Sequence, residues 1–185
     1  SLTLDAGLDL AAKSLRLDAK GQETGGLVAA LTGKPEVGAF DLDLSGNGAL
    51  DDWKGKLVAK AANGFDLQTD LGLAYAAEKR VALTGSLTTA PGFLPTDLQT
   101  ALGSKVDLAL KAQETGPGAF SLDDLRVDLA AANLSGKGTV DLQASKLDGG
   151  IDLSVPDLSK LAGLAGVPLA GSTQLGIRGS GDPSS

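Results

Sequence analysis

The sequence predicts an all-β protein: a long antiparallel sheet with one apolar face, interrupted by two short helices. Three observations predict it. Asp-Leu occurs twelve times, usually where leucine alternates with small or polar residues, as in Asp66-Leu67-Gln68-Thr69-Asp70-Leu71-Gly72-Leu73. Alternation is the period of a strand, placing leucine on one face and aspartate, lysine, serine and threonine on the other. Glycine, asparagine and proline turns separate most of these runs, and short turns join antiparallel neighbours. Finally, 42% of the 185 residues are hydrophobic but only 3% are aromatic and 26 are glycine, so leucine, alanine and valine must form a thin core.

Along the chain, Leu2, Leu4, Ala6, Leu8 and Leu10 share one face, and Leu15, Leu17 and Ala19 resume the pattern. After a polar stretch, apolar positions return at Leu27, Ala29 and Leu31, then at Phe40, Leu42 and Leu44. Gly46-Asn47-Gly48 reads as a turn. The longest alternation is Phe65, Leu67, Thr69, Leu71, Leu73 and Tyr75, roughly 11 residues against a usual strand of about 5 or 6. Val81, Leu83 and Leu87 follow, then Val106 to Ala112, Leu125 to Ala131, Val140 to Ala144, and Ile151 to Val155. Two segments break the period and predict helices near 93–102 and 156–165, with Leu94, Leu98 and Leu102 four apart and Leu158, Leu161 and Leu164 three apart. Gly103 and Gly166 stand where a left-handed C-cap is expected. Thr173, Leu175 and Ile177 begin a last strand. The two helix-then-strand units lie roughly 60 residues apart, a loose repeat. Residues 1–178 therefore read as one repetitive sheet segment, and 179–185, rich in glycine, serine and proline, as a tail or linker. A chain that starts at Ser1 and contains no methionine reads as a piece of a longer polypeptide.

Composition also excludes chemistry. With no histidine and no cysteine, the common nucleophile–base pairs and imidazole or thiolate metal sites cannot be built. A net charge of -7 with no basic run argues against nucleic acid. No apolar run approaches the roughly 18 residues of a membrane span. The pairs Asp51-Asp52 and Asp123-Asp124 are the only adjacent carboxylates, and strand neighbours point to opposite faces, so they are expected on a solvated face or turn. Gly33-Lys34 and Gly136-Lys137-Gly138 lack the spacing of a phosphate loop and read as hairpin turns. Asn47, Asp51 and Asp52 lack the order of a calcium loop. The lone Trp53 reads as an apolar anchor over the sheet. No enzyme, cofactor or metal is expected.

The leucine stripe has two readings. It can close on itself in a dry core, as in a β-helix or stalk module of a secreted or surface adhesin; a steady coil length would then be expected, which irregular strands and two helices do not supply. Or it can remain an under-filled groove suited to flexible hydrocarbon.

At Ser45-Gly46-Asn47-Gly48-Ala49-Leu50-Asp51-Asp52-Trp53-Lys54-Gly55-Lys56-Leu57 the chain resembles the TamB family, within the AsmA-like group of Gram-negative envelope proteins. Val155 to Ser172, a short helix followed by Val167-Pro168-Leu169-Ala170-Gly171, is similar to that family's recurrent helix and strand start, and Leu122 to Leu129 matches in style. The resemblance implies a curved, taco-like sheet with an apolar groove, anchored in the inner membrane and reaching across the periplasm. It implies phospholipid transport between the two membranes and, in many members, an outer-membrane barrel partner and support of outer-membrane protein assembly through a region outside this chain. Neighbouring repeats of the same chain would flank this segment. The groove positions expected from this reading are Leu67, Leu71, Leu73, Leu108, Leu110, Val127, Leu129, Val140, Leu142, Ile151 and Leu153.

Overall fold

A computed structural model describes residues 1–24, 26, 29, 30, 33 and 37–181. Its strands are β1 Leu2–Asp9, β2 Ser14–Glu23, β3 Phe40–Ala49, β4 Trp53–Ala61, β5 Phe65–Tyr75, β6 Lys79–Thr89, β7 Lys105–Gly116, β8 Ala119–Asp128, β9 Asn133–Asp141, β10 Lys146–Val155 and β11 Thr173–Gly181. They pair in sequence order into one open antiparallel sheet of 11 strands. The chain is thus all-β and curved, with short helices α1 Thr96–Leu102 and α2 Ala162–Ala165, the latter preceded by a 3₁₀ turn Leu158–Leu161.

Register follows from alternation, because a one-residue slip would turn each strand's leucines to the wrong face. One unbroken row runs Leu4, Ala19, Leu44, Leu57, Thr69, Gly85, Leu108, Val127, Leu134, Leu153, Leu175, each residue opposite the next across all eleven strands. Every second residue therefore adds to a single apolar face spanning the sheet.

Because the sheet is antiparallel throughout, the connections sort to two lips. One lip carries five tight turns, at 10–13, 50–52, 76–78, 117–118 and 142–145; the other carries two short turns, 62–64 and 129–132, and the three long connections, 24–39, 90–104 and 156–172. The helices belong to the long lip. There α1 packs against the 3₁₀ turn and α2, and Phe93 extends a tilted aromatic series, Phe40–Phe65–Phe93, with ring centroids 6.3 and 5.9 Å apart. Asp157 caps the 3₁₀ turn by accepting from the Ser159 hydroxyl at 2.6 Å and its N–H at 3.0 Å, which hold its carboxyl below the usual carboxylate range. Gly166 ends α2 in the left-handed conformation at φ 68°, and Gly103 ends α1 with a positive φ of 81°, which favours glycine at both expected caps.

Several boundaries differ from expectation. Gly46-Asn47-Gly48 is not a turn but lies inside β3, where Gly46 pairs with Gly55 and the Trp53 ring lies over both. Gly136-Lys137-Gly138 lies inside β9, because Gly138 faces Gly149 so closely that a side chain on either would crowd backbone. β11 extends to Gly181, taking the first three residues of the expected tail; 182–185, like Leu27, Leu31 and Lys34, lie outside the described residues. β8 begins at Ala119, and a bulge between Leu122 and Leu125 shifts its register.

Candidate functional site: the apolar face

The face is built from side chains that fill it unevenly. In the row beside the one above, Ala6, Leu17, Gly46, Gly55, Leu71, Leu83, Leu110, Leu125, Gly136, Ile151 and Ile177 stand opposite one another in turn. Glycine thus repeatedly faces a leucine or isoleucine, leaving hollows instead of interlocking volume. At Gly46–Gly55 the hollow is filled by Trp53, two residues before Gly55 on the same face and 3% exposed. The indole is the apolar anchor expected from sequence, and flat contact with two bare backbones explains why both positions must be glycine.

The two lips treat this face differently. At the long lip it is roofed: Val37, Ala59, Ala61, Ala101, Ala131 and Val155 are buried. An apolar pouch of about 390 Å³ lies there between Phe93, Leu94 and Leu102 on one side and Phe65, Leu67, Leu87 and Val106 on the other. At the tight-turn lip Leu8, Leu73, Tyr75, Val81, Phe120 and Leu147 are all exposed. Between β8 and β11 a second apolar hollow, about 450 Å³, is walled by Phe120, Leu122, Val140, Leu147 and Ile151 over a floor of Gly136, Gly138, Gly149 and Gly179.

Nine of the eleven expected groove positions, Leu67, Leu71, Leu73, Leu108, Leu110, Val127, Val140, Ile151 and Leu153, stand on this face. The other two do not continue the strand alternation. Leu129 follows the end of β8, where its N–H donates to Ala132 O. Leu142 is at the tip of the β9–β10 turn and 65% exposed, because the Asp141 carboxylate accepts the Gln143 and Ala144 N–H groups and bends the chain there. Leu10 occupies the corresponding place in the β1–β2 turn, where Asp9 accepts the Ala12 N–H, so it too leaves the strand face.

The opposite face is polar, with cross-strand ion pairs such as Lys20–Asp43 at 3.4 Å and Lys60–Asp66 at 2.8 Å. It holds a polar hollow of about 760 Å³ lined by both Asp123 and Asp124. These adjacent carboxylates share a side, against the expectation from strand geometry, because the β8 bulge lies between Leu122 and Leu125. Ser121 and Arg126 engage them separately. Asp51 and Asp52 lie in the β3–β4 turn as expected. Among the described residues no group of three or more carboxylates is placed to hold a metal ion, and no helix is long and apolar enough to cross a membrane. β4 was not anticipated as a strand, although Trp53, Leu57, Ala59 and Ala61 alternate with Lys54, Lys56 and Lys60.

Compared with known proteins, the chain matches no protein-family model, no curated protein and no solved structure.

Proposed function

We propose that the chain is a segment of a TamB-like bridge that carries phospholipid acyl chains along its apolar face between the inner and outer membranes. The observation supporting this reading is the face itself: continuous over 11 strands, not closed by a second sheet, and partly exposed midway along the strands at Leu108 and Ile151. Each buried methylene is worth about 0.8 kcal/mol, so hydrocarbon can be held without any strong single contact. Rows of similar Leu, Val and Ala rungs offer neighbouring sites of near-equal affinity, which passage requires. Headgroups then remain toward water at the tight-turn lip, where the face is open. The reading gives the chain no catalytic role and places it in the periplasm, with phospholipid and neighbouring repeats as partners. A closed stalk is the poorer fit, because the sheet is open and its leucines are half exposed.

Trp53, the only tryptophan, supplies a built-in reporter because it lies on the same face as Leu71 and Leu73. Phospholipid brominated in its acyl chains is expected to quench Trp53 fluorescence saturably, and lipid with unbrominated chains to reverse it. Absence of quenching by a folded protein would count against hydrocarbon on this face.

A further inference from the structure

The apolar face carries almost no charge. Among charged strand residues with an assigned cross-strand partner, only Glu23, Lys79 and Glu114 stand on it; all others are on the polar face. Glu23 ends β2 at the long lip. Lys79 and Glu114 lie together at the open, tight-turn lip, where Lys79 Nζ is 2.6 Å from Glu114 Oε2 and 5.6 Å from the centre of the Tyr75 ring. Tyr75 pairs with Lys79, and Glu114 pairs with Phe120. Directly inward lies the row Trp53, Leu73, Val81, Ala112, Leu122.

Both signs of charge and an aromatic ring therefore meet where hydrocarbon gives way to water. The Glu114 side chain is only 17% exposed and the Lys79 side chain 49%, so one partner is set back against the face and the other reaches outward. Accepting from Lys79, Glu114 raises the lysine pKa above its usual value. An ion pair needed only to mask charge would serve as well on the polar face, where the other strand ion pairs lie. We propose that Tyr75, Lys79 and Glu114 form a subsite for the headgroup of a zwitterionic phospholipid. Lys79 takes the phosphate, and Glu114 with the Tyr75 ring takes the ammonium. The acyl chains then lie along Leu73 and Val81 toward the roofed lip. This assignment rests on the groove reading and adds a preference among lipids to it.

The test uses the purified chain in detergent micelles with two lipids carrying identical brominated acyl chains, phosphatidylethanolamine and phosphatidylglycerol, and reads quenching of Trp53. The zwitterionic lipid should half-quench at a roughly tenfold lower concentration, the scale of one charge-assisted hydrogen bond. Glu114→Gln should bring the two lipids together while preserving quenching, and the double swap of Lys79→Glu with Glu114→Lys should recover the preference. Equal quenching of the unaltered protein by both lipids, or an undiminished preference in Glu114→Gln, would overturn the headgroup subsite and leave the groove reading standing. No quenching by either lipid would overturn both. Free phosphoethanolamine should not reverse the quenching; displacement by it at comparable concentration would assign the site to a small soluble phosphate compound instead.

Discussion

Replacing Gly55 with valine is expected to lower the unfolding free energy by about 3 kcal/mol, despite valine being the better strand former. A Cβ on Gly55 overlaps the Trp53 ring and crowds Ser45 O, and one on Gly46 overlaps the same ring. The indole, 3% exposed and lying directly on the backbones of Gly46 and Gly55, has no room to withdraw toward the sheet, so overpacking strain exceeds the gain in strand propensity. Trp53→Ala is expected to cost about 3–5 kcal/mol by leaving the glycine pair uncovered. The two changes should be strongly non-additive, because with the indole gone valine fills part of the space it left. Gly179→Ala is the control: nothing lies within 4 Å of its added Cβ, so its change should stay within about 0.5 kcal/mol. Denaturant unfolding of the four variants checks this. Equal costs for Gly55→Val with and without Trp53 would contradict the packing.

Lipid carriage should fall roughly a hundredfold when Leu108 is replaced by glutamate, with the sheet still folded. Leu108 is near the middle of a row that crosses all eleven strands, opposite Gly85 and Val127, and is 40% exposed. The carboxylate can therefore stay hydrated in the empty protein, and folding loses little. A passing acyl chain must instead strip or skirt that charge, which costs about 3 kcal/mol in hydrocarbon and blocks every transit through the same rung. Ala109→Glu, next in the strand but among Thr84 and Arg126 on the polar face, should leave transport unchanged. Lipid transfer between donor and acceptor vesicles, or envelope lipid balance in cells, reads the difference. Survival of transport in Leu108→Glu and Leu110→Glu together would remove the groove reading.

How much of this was legible follows from where local pattern sufficed. β5 was read with both ends correct because nothing interrupts its alternation from Phe65 to Tyr75. β4 was missed, and Gly46-Asn47-Gly48 misread as a turn, for one shared reason: Gly46 and Gly55 serve an indole that reaches them across strands, and that pairing has no local sign. Gly136 to Gly138 failed alike, since the close approach of Gly138 to Gly149 appears only once β9 meets β10. Leu142 was misplaced because its aspartate caps a turn where the same dipeptide elsewhere continues a strand. Lys79 and Glu114 went unnoticed as a pair, being 35 positions apart in sequence, though counting parity along β6 and β7 would have set both among the leucines.

The central claim, that lipid lies on the leucine face of a folded sheet, is tested most directly by photocrosslinking in living cells. A crosslinking amino acid is placed at Leu108 and, separately, at its neighbour Asp107 on the opposite face, followed by mass spectrometry for phospholipid adducts. Adducts at Leu108 and none at Asp107 are expected. Capture at neither position in a folded, expressed protein, or equal capture at both, would contradict a lipid-bearing groove.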